Sequence, residues 1–438
     1  MAKTYDTYKD SGIAWIGEIP GEWEVCRLKD TSSLYTGNSI KDEKKDYYED
    51  KNDARPYIAT KDIDATYMTA NYENGLYIKH ADNNFRIAPP FSSLMCIEGG
   101  SAGRKKTFID REVSFVNKLC CFAPLKGVLG KYIYYFLCSP NFEDIFNSKI
   151  TGLIGGVNIP TLKNIECLLP PLSVQQSISS FLDTKCGEID SLISIQEEMI
   201  SELLAYKQSV ITEAVTKGHN KKAKMKNSGV EWIGDIPEEW EVIKIQYLNQ
   251  GLTDGTHGTY NRVDNGRLLL SSKNVREKDL LITDSESQIS EEDYQSIISN
   301  GFPKKGDLLM CCIGASIGRC IIYKYDEKYA FQRSVIFIRC NKLIKPELLR
   351  YNLLSNNSLL QELFLINQSA QAGLYQGQVK EIKVIVPPIS KQKQIIDYLD
   401  EKTTQIDSLI ALKQSKIESL KEYKKSIIYE YVTGKKRV

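Results

Sequence analysis

The sequence SGIAWIGEIP at residues 11–20 returns as SGVEWIGDIP at residues 228–237, a shift of 217 positions. Each copy is followed, after one intervening residue, by the same four letters, EWEV. The shift is far longer than the roughly 20–50 residues of a solenoid repeat. Because the chain has 438 residues, close to twice the shift, the repetition predicts two tandem half-molecules with pseudo-two-fold symmetry.

A second shared stretch covers residues 170–218 and 387–435, where 22 of 49 aligned positions are identical. A Pro-Pro pair opens each copy and about 40 residues without proline follow, which predicts one long helix per copy. Ser173 and Ser390 stand at the expected N-cap positions, with Gln175 and Gln392 in the first turn. At 1.5 Å per residue, about 42 helical residues would form a rod of roughly 63 Å.

An apolar stripe with a seven-residue period runs along each predicted helix and is interrupted at the same place, by Gln196 and Lys413. Its members are Leu182, Ile189, Ile193, Ile200, Leu203 and Val210 in the first copy and Leu399, Ile406, Ile410, Ile417, Leu420 and Ile427 in the second. The stripe predicts that the two helices form a coiled coil. Because the heptads are imperfect, separate packing of each helix on its own domain is the alternative.

The parts that differ between the halves alternate short β-branched and aromatic runs with Gly, Asn, Asp and Lys turns, which predicts mixed α/β domains rich in strand. We therefore expect four segments: a first domain at 1–168, a helix at 169–218, a second domain at 219–385 and a helix at 386–438. Four tryptophans recur with the repeat and are expected to pack the start of each domain: Trp15, Trp23, Trp232 and Trp240.

Composition excludes several classes of protein. The 57 Lys and Arg against 56 Asp and Glu give a net charge of +1, so any electropositive face must be local. No apolar run approaches the roughly 18–20 residues of a membrane span. The first ten residues are polar and lack the apolar core of a secretory signal, so we expect a cytoplasmic protein.

Signatures of metal binding and catalysis are missing from the sequence. There is no Cys-x-x-Cys pair and there are only three histidines, so we predict no metal site, and the eleven cysteines are interpreted as reduced, mostly buried thiols. Neither a phosphate-binding Gly-x-x-x-x-Gly-Lys-Ser/Thr loop nor a Gly-x-Ser-x-Gly elbow occurs. APPF at 88–91 lacks the polar side chain that an amino-methyltransferase motif needs before its prolines. DEK at 400–402 is interpreted as a solvated helix face. We predict no catalytic residue.

Two glycine-rich loops are the clearest signals for binding. GGSAGRKK at 99–106 and GASIGR at 314–319 each follow an apolar strand-like run and bring backbone amides, a hydroxyl and a guanidinium together, which suits a phosphate or a base edge. Residues 301–340 carry seven Lys or Arg against three acids, a local charge of +4. We predict DNA contacts at Ser101, Gly103, Arg104, Lys105, Lys106, Ser316, Gly318 and Arg319. The alternative is a pair of solvated loops whose glycines serve only the turn.

Other candidates for DNA contacts lie outside the glycine loops. TKDI at 60–63 and SKNV at 272–275 occupy matching places, although exposed turns would also explain them. His257 lies in DGTH at 254–257, and a lone histidine is more often a loop residue than a metal ligand. The added candidates for DNA contacts are Lys61, Lys118, His257, Lys273, Asn274 and Arg333.

Taken together, these motifs resemble the specificity subunit of a type I restriction-modification system, and the resemblance covers essentially the whole chain. It rests on the duplicated Ser-Gly-x-x-Trp-Ile-Gly-x-Ile-Pro motif, the loop at 254–257, the Ser-x-Gly-Arg islands and the Pro-Pro-(Leu/Ile)-Ser-x-Gln starts of the helices. The first half departs from the pattern, because YTGN at 35–38 replaces the Asp-Gly-Thr-His loop. No role of His257 is therefore carried over to that half.

The resemblance implies an α+β fold in which two target-recognition domains are separated by two long antiparallel helices. It implies a non-catalytic protein that binds double-stranded DNA and docks two methyltransferase subunits on its helices. Restriction subunits would add translocation and cleavage. S-adenosylmethionine, ATP and Mg would belong to these partners, and this chain would bind no cofactor.

In that case each domain would read a few base pairs in the major groove, and the helices would set the half-site spacing. The target would be bipartite and asymmetric, because the two domains have diverged. Three alternatives stay open from sequence: a fused methyltransferase or nuclease, a coiled-coil scaffold without DNA function, and a specificity subunit of a related two-domain restriction system.

Overall fold

The computed structural model of the chain describes residues 4–13, 16–152, 155–220, 222–366 and 373–438. The chain divides into two compact units. Unit 1 comprises Met1–Glu197 and Gln414–Val438, and unit 2 comprises Glu198–Lys413. Each unit therefore contains a globular part and segments of both long helices, a different division from the four separate segments expected from sequence.

Unit 1 begins with the N-terminal strands and contains the start of the first long helix. Its strands are β1 Tyr8–Asp10, β2 Glu18–Pro20, β3 Glu24–Arg27, β4 Ser32–Thr36, β5 Ala54–Ile58, β6 Tyr77–Lys79, β7 Ile87–Ala88, β8 Ser93–Cys96, β9 Lys106–Phe108, β10 Val113–Phe115, β11 Leu119–Pro124 and β12 Glu166–Leu169. Its helices are α1 Leu28–Thr31, α2 Gly130–Leu137, α3 Pro140–Ser148, α4 Ile159–Lys163 and the beginning of α5 Leu172–Lys217. Short 3-10 helices span Asp42–Tyr48 and Thr60–Asp62.

Unit 2 has a related order, although a helix at Glu291–Asn300 lies among its strands and has no counterpart in the described part of unit 1. Its strands are β13 Met225–Asn227, β14 Asp235–Pro237, β15 Glu241–Lys244, β16 Asn249–Asp254, β17 Arg267–Leu270, β18 Gln288–Ile289, β19 Leu308–Cys311, β20 Cys320–Ile322, β21 Ala330–Phe331, β22 Val335–Cys340 and β23 Lys383–Val386. Its helices are α6 Glu291–Asn300, α7 Pro346–Leu353, α8 Asn356–Leu365, α9 Gln376–Glu381 and the beginning of α10 Ile389–Val432. Two 3-10 helices span Ile245–Tyr247 and Gly314–Ser316.

Sheet topology shows the internal duplication directly. The central sheet of unit 1 has the order β4-β11-β8-β9, and that of unit 2 has the matching order β16-β22-β19-β20. In both units a second sheet contains one parallel pair, β5 with β10 and β17 with β21. In both units an isolated antiparallel pair precedes the long helix, β3 with β12 and β15 with β23. The mixed α/β domains predicted from sequence are confirmed.

Inside unit 1 the first part of α5 lies antiparallel to the last part of α10. Asp190 accepts a hydrogen bond from Lys424 Nζ at 2.7 Å, and the rings of Phe181 and Tyr431 lie 4.4 Å apart. In unit 2 the last part of α5 meets the first part of α10 through Lys207 and Asp407, at 2.6 Å. Both ion pairs join the same two repeat positions, which fixes one antiparallel register in each unit.

The predicted apolar stripe follows this pairing. Nine of its twelve members are buried, and the remaining three, Ile200, Leu203 and Ile410, are half-buried. Separate packing of each helix on its own domain is therefore excluded, because each unit contains segments of both helices.

Two sequence expectations about the ends of the helices are wrong. α5 begins at Leu172 and α10 at Ile389, so Ser173 and Ser390 lie within the first turn rather than at the N-cap. The helices start earlier because the carbonyls of Pro171 and Pro388 already accept hydrogen bonds from the first turn, for example from the Val174 amide at 2.9 Å.

The glutamine of each first turn fastens the long helix to the domain before it. Gln175 accepts a hydrogen bond from the Leu129 amide at 2.8 Å, at the start of α2. Gln392 does the same for the Lys345 amide at the start of α7, also at 2.8 Å. Both side chains are buried. A buried polar side chain is stabilising only when its hydrogen bonds are made, so these contacts orient the helix on its domain.

The duplicated motif that opens the sequence packs beside a long helix end in each unit. Trp23 and Trp240 are buried, and Trp240 lies against Gly218, just past α5. In unit 1, Lys435 Nζ donates to the carbonyls of Ile16 and Glu18. Trp232 is 48% exposed, so its predicted packing role is wrong. Trp15 lies outside the described residues.

Helices α3 and α8 pack on the glycine loops of their units with different side chains. A Cβ on Gly103 would lie 2.7 Å from Phe146, and a Cβ on Gly318 would lie 2.5 Å from the Glu362 carboxylate. Glu362 is only 3% exposed, and its Oε1 has no hydrogen-bond partner among the described residues. Burial raises the pKa of Glu362 to about 8.

The pKa of Glu362 predicts a pH-dependent stability. At pH values between the unfolded-state pKa of the Glu362 carboxyl, 4.5, and its folded-state pKa of about 8, the folded state keeps a proton that the unfolded state has lost. Stability therefore falls as pH rises through this window. Glu362→Gln should raise the free energy of unfolding by on the order of 3 kcal/mol at pH 9 and by little at pH 4.5, as measured by chemical denaturation. The exposed control Glu401→Gln should show no such trend, and a benefit of Glu362→Gln that is independent of pH would contradict the assignment.

The two helix ion pairs predict a reciprocal rescue. Lys424→Asp should destabilise the chain by about 2 kcal/mol, because it places two carboxylates together in a mostly buried position. The swapped double variant Asp190→Lys with Lys424→Asp should regain more than half of that loss in urea unfolding. Charge reversal at Lys393, which forms an exposed pair with Asp397, is the control and should have little effect. Failure of the double variant to recover stability would argue against this helix register.

Candidate nucleic-acid interface

In each unit the loops singled out from sequence lie together at one end of the strands of the central sheet. In unit 2 this end of the sheet, named edge 2, consists of residues 254–257, 272–275, 314–319 and 332–334. In unit 1 edge 1 consists of residues 36–39, 60–63, 99–105 and 116–118.

A glycine sits at the start of each edge because backbone crowds it. A Cβ on Gly255 would lie 2.3 Å from the carbonyl oxygens of Phe331 and Gln332. A Cβ on Gly37 would lie 1.8 Å from the carbonyl oxygen of Phe115. Gly37 is therefore the counterpart of Gly255. The neighbouring positions that differ between the units are Thr36 and Asp254, Asn38 and Thr256, and Ser39 and His257.

The glycine loops superpose except for one extra residue in unit 1. Gly103 and Gly318 occupy the same place, since each donates its amide to the carbonyl of the last residue of a strand, Cys96 and Cys311. The same two cysteines donate their own amides to the carbonyls of Lys105 and Arg319. At the carbonyl, Lys105 is thus the counterpart of Arg319. At the amide, Arg104 matches Arg319, because each donates to the carbonyl of the serine three residues earlier, so the extra residue falls within Arg104–Lys105.

These counterparts perform the same task in the two units. Lys105 Nζ donates to the Thr60 carbonyl at 2.9 Å. Arg319 Nη1 donates to the Val275 carbonyl at 3.1 Å. Each cation thereby ties the glycine loop to the neighbouring turn, at 60–63 or 272–275. An ammonium or guanidinium has further donors, so half-buried Lys105 and Arg319 retain capacity for an additional acceptor.

Two predicted DNA contacts are wrong, because their side chains are buried and already satisfied. Lys106 is 0% exposed, and its Nζ donates to the Leu137 carbonyl at 2.8 Å and to Glu143 at 3.0 Å. Asn274 is 1% exposed and closes its own turn, accepting from the Ser271 amide. Both residues stabilise the framework instead of facing a ligand.

The structure of the loop explains why glycine occupies positions 103 and 318. Both have positive φ, +72° and +81°, and both leave room for a side chain of the helix packed on them. They are buried and shape the loop rather than touch DNA. Ser101 and Ser316 are half-buried, and their carbonyls accept amide hydrogen bonds that close the loop, for example from Arg104 and Arg319.

Four predicted cations remain exposed and make no ion pair with any described residue: Lys61, Arg104, Lys118 and Arg333. Lys273 is also exposed but lies 2.8 Å from Glu286. That contact lowers the pKa of the Glu286 carboxyl, chiefly through the hydrogen bond from Lys273. Exposed cations of this kind suit phosphate oxygens or guanine edges.

His257 at edge 2 is oriented by a carboxylate. Its Nε2 lies 2.8 Å from Asp254 Oδ2, and the other oxygen of Asp254 accepts a hydrogen bond from Gln376 Nε2 at 2.6 Å. Edge 1 has a different polar pair, Ser39 donating to Asn117 Oδ1 at 2.7 Å. Sequence reasoning missed Gln376, Ser39 and Asn117. No local pattern marks them, since Gln376 lies 122 positions from Asp254.

Within the described ranges, no group of three or more His, Cys, Asp or Glu side chains is arranged to hold a metal ion. None of the described helices is long and apolar enough to cross a membrane. Both edges present polar side chains that are exposed or half-buried.

Comparisons with known proteins agree with this geometry. The sequence profile for the type I restriction modification DNA specificity domain matches residues 20–204 and 235–422. The chain is 25% identical to the type I restriction enzyme MjaVIII specificity subunit of Methanocaldococcus jannaschii, covering 96% of this chain and 94% of that protein. It is 22% identical to the EcoKI specificity subunit of Escherichia coli strain K12, covering 90% and 84%.

A solved structure shares the fold, with a TM-score of 0.69 at 14% identity over 94% of this chain and 98% of that one. It is described as the structural basis underlying complex assembly and conformational transition of the type I R-M system. Since the two matched ranges cover most of the sequence, the chain belongs to the family of type I restriction modification DNA specificity domains and contains two copies of that domain.

Proposed function

We propose that this chain is the DNA-specificity subunit of a type I restriction-modification complex, in which edge 1 and edge 2 each read one half of a bipartite target. One observation carries the proposal: the same loop framework occurs twice with different side chains at equivalent positions. Edge 1 has Thr36, Asn38, Ser39 and Asn117 at the positions that Asp254, Thr256, His257 and Arg333 occupy in edge 2. A shared frame with different donors and acceptors reads two different short sequences, so the target is asymmetric.

The chemistry of the exposed side chains supports this assignment. An arginine such as Arg333 or Arg104 can contact guanine O6 and N7 together, and Asn117 is suited to adenine. Exposed lysines such as Lys61 and Lys118 are suited to phosphates, which position the protein without specifying sequence. The long helices α5 and α10 run continuously through both units and set the spacing between the half-sites.

Exposed apolar residues on the long helices support docking of two identical partners. Unit 1 exposes Leu192, Ile195 and Tyr423, each at about half of the side-chain surface. Unit 2 exposes Leu409, Leu412 and Tyr206, the same repeat positions. Large exposed apolar groups mark interaction surfaces. Two equivalent patches correspond to two copies of one partner, which we assign as the methyltransferase subunits.

In this proposal the partners carry the chemistry and the chain itself is not catalytic. The methyltransferase subunits supply S-adenosylmethionine for adenine methylation, and restriction subunits supply ATP- and Mg-dependent translocation and cleavage. The complex acts on double-stranded DNA in the cytoplasm. Methylation by the purified chain alone would contradict the assignment.

The two edges should be separable by mutation. Arg333→Ala should change or relax one half of the methylated motif, and Arg104→Ala the other half, with a cost of about 1–3 kcal/mol, or roughly 5- to 150-fold in DNA affinity. The test is single-molecule sequencing of N6-methyladenine in cells that express each variant with the methyltransferase. Arg27→Ala, an exposed arginine away from both edges, is the control and should leave the motif intact. A change in both halves from either variant would refute independent reading.

The two helix patches should each bind one partner copy. Leu192→Glu with Ile195→Glu, or Leu409→Glu with Leu412→Glu, should reduce the methyltransferase content of the purified complex from two copies to one. Combining all four substitutions should leave none, as measured by native mass spectrometry. Leu363→Glu with Phe364→Glu, which alters exposed apolar residues of α8, is the control and should retain two copies. Two retained copies in the fourfold variant would show that these patches do not dock the partner.

A further inference from the structure

Two cysteines of unit 1 face each other across an antiparallel strand pair. Cys26 on β3 is the direct partner of Cys167 on β12. Their sulfur atoms lie 3.4 Å apart, although 141 positions separate them in the chain. Directly opposed residues of antiparallel strands have Cα atoms about 4.5–5.5 Å apart, inside the range of about 4.4–6.8 Å that a disulfide spans. The sulfurs can therefore approach bonding distance by side-chain rotation.

The two thiols are not equivalent. Cys167 is buried, whereas Cys26 is half-buried. The hydrogen bond between them lowers the pKa of the Cys26 thiol, against the opposing effects of burial and of Asp30 and Glu24. The same hydrogen bond, together with burial, raises the pKa of the Cys167 thiol. The thiolate, not the thiol, is the reactive form, so Cys26 is the nucleophile of the pair.

Packing does not require cysteine at these positions. In unit 2 the equivalent strands β15 and β23 place Ile243 opposite Val384. An apolar pair therefore serves the same fold, and the thiol pair is a property of unit 1. All eleven cysteines lie within the described residues, and no second pair of their sulfurs is in hydrogen-bonding contact. Cys340, the other half-buried cysteine, provides an internal reference.

We propose that Cys26 and Cys167 form a thiol oxidation site that closes to a disulfide when the protein meets a peroxide. In the first step the Cys26 thiolate attacks the peroxide, the O–O bond breaks, and Cys26 becomes a sulfenic acid while the peroxide is reduced to an alcohol or water. In the second step the Cys167 sulfur attacks the Cys26 sulfur, the S–O bond breaks, and water leaves with the thiol proton. Thiol exchange with a small-molecule dithiol reverses the bond.

The position of the bond gives it a structural consequence. β3 precedes the globular part of unit 1, and β12 leads directly into α5 through Pro170 and Pro171. Strands β4 to β11 all lie between the two cysteines in sequence. A disulfide would close this whole loop and restrict the unfolded state of unit 1, which stabilises the folded domain. The apolar pair of unit 2 has no such response.

The test uses the full-length chain treated with hydrogen peroxide, followed by thiol blocking under denaturing conditions and peptide mass spectrometry. We expect a Cys26–Cys167 crosslinked peptide that forms at least about tenfold faster than any modification of Cys340. It should disappear on treatment with dithiothreitol. Thermal unfolding of the oxidised chain should shift upward by several degrees relative to the reduced chain.

Three variants distinguish the Cys26–Cys167 pair from the other cysteines. Cys26→Ile with Cys167→Val copies the pair of unit 2, so it should fold, form no crosslink and show no thermal shift on oxidation. Cys167→Ser should stop the reaction at the Cys26 sulfenic acid, detected as a dimedone adduct. Cys340→Ser should react like the wild type. Absence of the Cys26–Cys167 peptide, or formation of mixed crosslinks among the cysteines at equal rates, would overturn the proposal.

Discussion

Each globular domain is completed by a helix segment from a distant part of the chain, and the rest of the structure depends on this constraint. In unit 1 the Tyr132 hydroxyl donates to the carbonyl of Val432, 300 positions away. In unit 2 Gln208 of α5 donates to the Leu354 carbonyl at 2.6 Å. Because each unit needs segments of both long helices, a domain excised at the helix boundaries loses part of its own core.

The same constraint explains how the chain combines a fixed frame with variable surfaces. Residues that join helix to domain keep their identity in both halves, as Gln175 and Gln392 do, and so do the aspartates and lysines of the helix ion pairs. Residues of edge 1 and edge 2 do not keep their identity, as Ser39 and His257 show. The side chains of the two edges can therefore diverge between the halves without disturbing the helices, since the divergent side chains are exposed or half-buried and the shared ones are buried or paired.

The duplication made the architecture predictable from sequence. The shift of 217 residues places both long helices to within a few residues of their observed starts at Leu172 and Ile389. The loops of the candidate site were also identified, because glycines and basic residues recur in them. The sequence did not correctly predict the environments of individual side chains. Lys106 looked like part of a basic loop, but it is the first residue of β9 and points into the core, where Glu143 compensates its charge.

Two other differences between the sequence predictions and the structure have similar causes. One extra residue in the first glycine loop places the Lys105 carbonyl where unit 2 has the Arg319 carbonyl, and only the backbone hydrogen bonds reveal this offset. Gln376 reaches Asp254 from a helix 122 positions away, a contact that no local pattern encodes.

In the proposed function, this chain gives a partner methyltransferase a two-part, asymmetric target. The most direct measurement maps N6-methyladenine by single-molecule sequencing in cells that express the methyltransferase with and without this chain. If the chain sets the specificity, one gapped, non-palindromic motif should appear only when the chain is present. A motif that persists without the chain, or the absence of any motif with both proteins present, would contradict this function.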